Sequence, residues 1–368
     1  MNTFKAKELV LKAGLNLVEK ELIAGTWGNV SCRIDDNKFA VTPSGRSYDI
    51  LIPDDIVIVN ISDGSYSGNI KPSSEKSIHA AIYKTFPDVN FVIHTHQEYA
   101  SVISAAAIDI VELDELHPLL GSKVILAEYA PSGTEELKYN VIRALSESAS
   151  KAIIMKNHGA MCLGKDYDEA FSVASELEKV CCDFIIKRYF NLSGKSILDT
   201  DEMINFSLSL NHKLKYNSNS SKNSDTFLLL KEEICNAVYN KYKELHYSSF
   251  INTPEIKGLC SHGIELKPVL DDFAQIAGIG AKITSFDFEE IISCLENSYV
   301  VFIHNTGALC FGRTEKEVAA VSMITQKASK AYICASLFGK VRSIEPAECI
   351  AMRHNYLYNY SKQDELNK

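Results

Sequence analysis

The hydrophobic pattern along the chain switches repeatedly between the helical and the extended period. Apolar residues at helical spacing over residues 3 to 23 (Leu9, Val10, Ala13, Leu17, Leu22) predict an opening helix. Short runs at 30 to 34 and 38 to 42 flank Asp35-Asp36-Asn37 and read as the strands of a hairpin. A further strand is expected over 55 to 61, then a turn at 63 to 68. Ile78, Ala81, Ile82 and Phe86 next form one helical stripe from Glu75 to Phe86, and Phe91-Val92-Ile93 starts a buried strand. Helices over 98 to 107 and 135 to 150, a strand over 152 to 155 and a long helix over 167 to 189 complete the first half.

The same pattern returns later in the chain. Residues 196 to 225 read as a linker, most clearly over 211 to 225 (NHKLKYNSNSSKNSD), which has few apolar side chains. Beyond it, 301 to 311 (VFIHNTGALCF) aligns with 153 to 163 (IIMKNHGAMCL), and 231 to 239 (KEEICNAVY) aligns with 75 to 83 (EKSIHAAIY). The expected organisation is a first domain over 1 to 195, a linker over 196 to 225 and a related second domain over 226 to 368. In this register Glu75, His94, His96 and His158 become Lys231, Phe250, Asn252 and Thr306. The second copy keeps the apolar frame and lacks these polar groups. Counterparts of Gly28-Asn29 and of 42 to 45 are missing from it.

Composition narrows the class. With 46% apolar and 23% charged residues the chain can bury a sizeable core, and its net charge of −9 gives no electrostatic reason to expect nucleic acid or an anionic membrane as a partner. No apolar run reaches the roughly 18 residues of a membrane span. Ten cysteines without a CxxC pair read as free thiols, and the N-terminus reads as an amphipathic helix, so a cytoplasmic location is expected.

Candidate chemistry clusters in the first half. His94 and His96 stand at i and i+2 on a strand, so both imidazoles face one way, a common arrangement for metal ligands. His158 lies at another strand end, in a glycine-containing turn. Gly28-Asn29 and Thr42-Pro43-Ser44-Gly45 are turns with spare backbone N–H groups that could cup a phosphate, although each read alone is simply a turn. Ser73 and Ser74 precede the Glu75 helix, where they serve either as ordinary N-caps or as anion donors at a helix N-terminus.

Taken together, Gly28-Asn29-Val30-Ser31, Thr42-Pro43-Ser44-Gly45, Ser73-Ser74-Glu75, His94-Thr95-His96 and Asn157-His158-Gly159 resemble the class II aldolase and adducin N-terminal domain family over residues 5 to 190. The resemblance implies an α/β fold, a three-layer α/β/α sandwich with a mainly antiparallel central sheet, here duplicated, and a homo-oligomer, usually a tetramer. It implies zinc or another divalent metal on His94, His96 and His158, phosphate contacts from Gly28, Asn29, Thr42, Ser44, Gly45, Ser73 and Ser74, and an acid/base role for Glu75. The tyrosine with which the aldolases protonate the leaving aldehyde has no match between Glu112 and Leu120; Tyr129, His117, Tyr356, Tyr358 and Tyr360 are candidates to replace it.

The implied function is reversible cleavage of a ketose 1-phosphate to dihydroxyacetone phosphate and an aldehyde. The metal charge would stabilise the enediolate and Glu75 would move the proton. A dehydratase or epimerase on the same metal site, or a non-catalytic adducin-like scaffold, are the alternatives. The second domain is expected to take the place of a neighbouring subunit.

Overall fold

The computed structural model describes residues 1–20, 22–23, 27–212, 221–285 and 287–360, with backbone only for 221–229 and 359–360. The chain divides into two units, one built on Met1–Ser104 and Ile108–Phe184, the other on Ile185–Tyr356. The division falls inside one long helix rather than at 195.

The first unit is an eight-stranded sheet between two helical layers. Helix α1 (Thr3–Glu19) leads to β1 (Asn29–Arg33) and β2 (Lys38–Val41), which form the expected hairpin, and then β3 (Val57–Asn60). Helix α2 (Lys76–Thr85), β4 (Phe91–Thr95) and α3 (Glu98–Ala105) follow. β5 (Ile110–His117) and β6 (Gly121–Ala127) make a second hairpin, followed by α4 (Glu135–Ser146), β7 (Ala152–Met155), β8 (Ala160–Gly164) and α5 (Tyr167–Ser193). The strand order is β3-β2-β1-β4-β8-β7-β6-β5, and only the β6–β7 pair is parallel.

Alternation along the strands assigns the faces. Phe39, Val41, Val59, Val92, Met161 and Leu163 point to α2 and α4 and pack with Ile78, Ile82, Leu137 and Val141 in one core cluster. Phe91 points the other way, onto Tyr167 of α5 with ring centroids 5.6 Å apart. On that side α1 packs against β1 and β2. The opening helix stops at Glu19, short of the expected end at residue 23, and Leu22 and Ile23 are buried beyond it. The sequence-predicted end at residues 24 and 25 lies outside the described residues.

The second unit begins earlier than the sequence pattern suggested. Helix α6 (Thr200–Asn211) occupies part of the expected linker: Asp199 caps it through the Glu202 N–H, and Ile204 and Leu208, one turn apart, are buried. Ile204, Phe206, Leu208 and Leu210 alternate with polar residues at period two, so a helical period does not stand out. The rest of that linker includes 213 to 220, which lie outside the described residues.

After α7 (Ser221–Lys241) come β9 (Tyr247–Ile251), α8 (Pro254–His262), α9 (Asp271–Ile276), β10 (Lys282–Thr284), α10 (Phe288–Cys294), β11 (Val300–Ile303), β12 (Gly307–Gly312), α11 (Glu315–Ala335) and α12 (Pro346–Asn355). The strand order β10-β11-β12-β9 reproduces β6-β7-β8-β4 of the first unit, again with one parallel pair, β10–β11. The registers agree as well: His94 pairs with Met161 and Phe250 with Leu309, while Ala152 pairs with Cys162 and Val300 with Cys310. Among the described residues the second sheet has no equivalents of β1 to β3.

Candidate metal centre and acid/base site

Strand pairing brings three imidazoles together. Val92 and His94 share the α2 face of β4, and His96 follows on the same side just beyond the strand end. β8 is the neighbour of β4, with Ala160 opposite Thr95, so the tight connection from β7 to β8 delivers His158 to the same place. The ligating nitrogens of His94, His96 and His158 all lie within 4.8 Å of one another, and all three residues are buried. Nε2 of His94 is 2.9 Å from Nε2 of His96 and 3.0 Å from Nε2 of His158.

The connecting turn depends on two backbone features. Asn157 adopts the left-handed region at φ 56, and its N–H donates to the Ser104 carbonyl at 2.9 Å. A Cβ at Gly159 would lie 2.2 Å from the Thr95 carbonyl oxygen. Any side chain there would lift the turn off β4 and carry His158 away from His94.

The donor chemistry fits a divalent metal. Nδ1 of His94 is 3.0 Å from the Ala160 carbonyl, which can only accept, so the proton sits on Nδ1 and the Nε2 lone pair points at the other two rings. Burial holds the His94 imidazole well below the ordinary histidine range, against the pull of Glu75. Imidazole nitrogens converging at about 3 Å are the donor set of a borderline cation such as zinc.

Glu75 stands at the N-cap of α2 and is buried beside the histidines. Its Oε2 lies 3.3 Å from Nε2 of His94 and its Oε1 lies 3.2 Å from Nε2 of His158. The backbone N–H of Glu75 donates to Ser73 Oγ at 3.2 Å, so Ser73 fills the capping role available to it. Burial works against the charge of Glu75. The imidazoles of His94 and His158, with hydrogen bonds from His158 and Asn29, outweigh it and hold the carboxyl well below the usual carboxylate range.

Beside this pair, two loops are laced together. The Ser44 N–H donates to the Lys71 carbonyl at 2.9 Å, the Ser73 N–H to the Thr42 carbonyl at 3.0 Å, and Pro43 bridges Pro72. Thr42 Oγ1 accepts the Val30 N–H at 3.2 Å, which ties the loop to β1. The turns at Gly28, 42 to 45 and 73 to 74, far apart in sequence, therefore adjoin. Gly28 has φ 110, and a Cβ there would lie 2.7 Å from the His94 carbonyl oxygen. Ser44 and Gly45 are half-buried and Ser74 is exposed.

Asn29, expected as a phosphate contact, turns its side chain toward the carboxylate. It pairs with His94 across β1 and β4 and faces α2, so its Nδ2 donates to Glu75 Oε2 at 2.8 Å. Ser132 was missed from the sequence: its Oγ donates to Glu75 Oε1 at 3.2 Å. The signal was available, since Ser132-Gly133 before a helix has the make-up of Ser44-Gly45 before its own turn. Two proposed substitutes for the missing tyrosine are engaged elsewhere. His117 Nδ1 accepts the Leu119 and Leu120 N–H groups in the β5–β6 turn, and Tyr356 donates to Glu317 in the second unit. The side chain of Tyr360 lies outside the described residues.

Known proteins resemble the first half of the chain. Residues 8–183 match the family profile described as the class II aldolase and adducin N-terminal domain. An L-fuculose phosphate aldolase of Methanococcus maripaludis is 35% identical over 164 residues, covering 45% of this chain and 87% of the relative. A 5-deoxy-D-ribulose 1-phosphate aldolase of Bacillus thuringiensis is 30% identical over 202 residues, covering 55% of this chain and 93% of the relative. A 3-oxo-tetronate 4-phosphate decarboxylase of Haemophilus influenzae is 29% identical over 210 residues, covering 54% and 92%.

Proposed function

The chain belongs to the class II aldolase and adducin N-terminal domain family and is a carbon–carbon lyase of that type, and from this premise we propose that it reversibly cleaves a ketose 1-phosphate to dihydroxyacetone phosphate and an aldehyde. The observation that carries the proposal is the buried convergence of three imidazoles on the carboxylate of Glu75.

His94, His96 and His158 would hold zinc or another divalent transition metal, for which imidazole nitrogens are suitable donors. When bound, it supplies a Lewis acid for the carbonyl and hydroxyl oxygens of the substrate. The laced turns of Gly28, Thr42, Ser44, Gly45, Ser73 and Ser74 bind the phosphate through N–H groups and hydroxyls, without a basic side chain. As the C3–C4 bond breaks, its electron pair stays on C3 and the C4 hydroxyl becomes the aldehyde carbonyl. The Glu75 carboxylate takes the C4 hydroxyl proton and delivers it to C3, and in the synthetic direction it removes that proton from C3 and returns it to the aldehyde oxygen. Asn29 and Ser132 keep the two carboxylate oxygens in place.

Purified protein incubated with ketose 1-phosphates should release dihydroxyacetone phosphate, read by a coupled reductase. In Glu75→Gln kcat should fall roughly 10²- to 10⁴-fold with the metal retained. Metal-loaded protein that cleaves none of them overturns the reading. The similarity to a sugar-acid phosphate decarboxylase supports a second reading on the same site, since loss of CO2 also leaves an electron pair beside a polarised carbonyl. Carbon dioxide release from a keto-acid phosphate, without aldehyde, distinguishes it, while loss of water or a change of configuration alone marks the dehydratase or the epimerase.

The second unit is a degenerate copy of the first, supported by its strand order and registers. We assign it an architectural role within a homo-oligomer, in the place of a neighbouring catalytic subunit. Removal of residues 226–368 should change the oligomeric mass. No described helix is long and apolar enough to cross a membrane, and ten cysteines without a disulfide among them fit the cytoplasmic location we propose.

A further inference from the structure

Behind Glu75, on the side away from the histidines, runs a row of buried polar side chains whose hydrogens can be assigned one by one. Glu75, Asn29, Ser31, His79 and Tyr83 are each under a tenth exposed. An ionised carboxylate only accepts, so Asn29 donates through Nδ2. That leaves Asn29 Oδ1 facing Nε2 of His79, and a carbonyl oxygen only accepts, so Nε2 carries the imidazole proton. Burial pushes His79 down to about 4, so the ring is neutral and Nδ1 is bare. Ser31 Oγ therefore donates to Nδ1 at 2.6 Å, and with its proton committed accepts from the Tyr83 hydroxyl at 2.7 Å. Every bond in the row points toward Glu75. Flipping the Asn29 amide would set its N–H against the His79 N–H and its oxygen against the carboxylate, two repulsive contacts in a buried site.

The second unit offers the control. Ile78, Ala81 and Tyr83 of α2 have identical counterparts in Ile234, Ala237 and Tyr239 of α7. His79 becomes Cys235 where Glu75 becomes Lys231, and Ser31 has no counterpart because β1 has none. A histidine kept for packing would not have to leave together with the carboxylate, because a cysteine fills the same helix face.

We propose that Ser31 and His79 are positioning residues for the carbon–carbon bond step: they lock the Asn29 carboxamide with its N–H on Glu75 and so fix the carboxylate oxygen that exchanges a proton with the substrate. The role rests on the aldolase reading above. His79 reaches Glu75 through Asn29, and Ser31 through His79; outer partners that orient a reacting or ligating group typically carry a roughly 10- to 100-fold effect.

The test pairs kinetics with a direct view of the proton. His79→Leu removes the donor and keeps an apolar filling; kcat should fall roughly 10- to 100-fold, with KM and bound metal within about twofold of wild type. His79→Gln, which returns an N–H near the Nε2 position, should recover most of that loss. Nitrogen-15 imidazole spectra of the wild-type protein should record the Nε2–H tautomer at His79. If His79→Leu does not fold, Ser31→Ala carries the kinetic test, with a smaller fall in kcat alone. An unchanged kcat, equal losses in the Leu and Gln variants, or an Nδ1–H tautomer would overturn the proposal. Wild-type protein that cleaves no ketose phosphate sinks the aldolase reading instead, and the tautomer still decides whether the lock exists.

Discussion

The two units share a scaffold and differ in almost every group that does chemistry. Both contain an Asn in the left-handed region, Asn157 at φ 56 and Asn305 at φ 58, and among the described residues these are the two non-glycine residues with positive φ. The N–H of each donates to the end of the helix that follows β4 or β9, to Ser104 in one unit and Cys260 in the other. The N–H of the next residue, His158 or Thr306, donates back to Met155 or Ile303. The glycine that follows, 159 or 307, meets the neighbouring strand so closely that a Cβ would touch its carbonyl oxygen. Against this shared frame, three imidazoles and a carboxylate are replaced by Phe250, Asn252, Thr306 and Lys231. The lesson is that strand order, register and turn geometry do not require the polar cluster. Its presence in the first unit must be explained by function.

The largest effect is expected from moving one residue of the second unit into the first. His158→Thr recreates the turn of Thr306, so the fold should survive, while bound metal is lost and activity falls by about 10³-fold or more. Metal analysis and circular dichroism separate the two outcomes. The reciprocal Thr306→His should bind no metal, because Phe250 in place of His94 has no lone pair and Asn252 in place of His96 offers only a weakly donating amide oxygen. If it does bind, the contrast between the units is shallower than their sequences imply.

Next in size are changes that should cost both units alike. Gly159→Ala would place a Cβ 2.2 Å from the Thr95 carbonyl oxygen, and Gly307→Ala one 2.7 Å from that of Ile251. Each should destabilise by roughly 2–4 kcal/mol in urea unfolding, since backbone must move to make room. Only Gly159→Ala should also weaken metal binding, by displacing His158.

Much of this was legible in the residues themselves. The hairpin, the Glu75 helix, the His-Thr-His strand and the Asn-His-Gly turn stand where period and turn chemistry put them, because each is a local signal. The repeat register that set His94 on Phe250 came from an ungapped extension and agrees with the strand pairing. What stayed hidden is what depends on three-dimensional neighbours. Asn29 looked like a phosphate donor because it follows a glycine; the β1–β4 register turns its amide to Glu75. Ser132 reaches the carboxylate from more than fifty residues away; its Ser-Gly turn is a local signal, but the contact with Glu75 is not recorded in it. Helix α6 was read as linker because its apolar residues alternate with polar ones at period two.

A smaller effect separates the units by pH. His79 is pushed down to about 4 from an ordinary value of 6.5, so between those limits the unfolded chain takes up the proton before the folded one. The stability this neutral ring allows is complete above about pH 6.5 and is lost as pH falls toward 4, to a maximum of about 3 kcal/mol. The second unit has Cys235 at this position and no such loss from it. Metal-free wild type should therefore drop in urea midpoint between pH 7 and pH 5 more steeply than His79→Leu. Parallel slopes would remove His79 as the cause.

The smallest and most discriminating change concerns the shared asparagines. Left-handed backbone costs an ordinary L-residue about 1–2 kcal/mol, and asparagine bears it more readily than most. The hydrogen bonds of Asn157 and Asn305 noted above use backbone N–H groups, so alanine leaves them intact and tests the conformational preference. Asn157→Ala and Asn305→Ala should each cost about 1 kcal/mol, and the glycine variants should be close to neutral. Thermal unfolding of the four variants measures this. Equal costs would mean that both asparagines are retained for the turn alone. A cost confined to Asn157→Ala, with a loss of metal, would mean that the Asn157 side chain serves the site, and this position would then move from the shared scaffold to the chemistry that distinguishes the first unit.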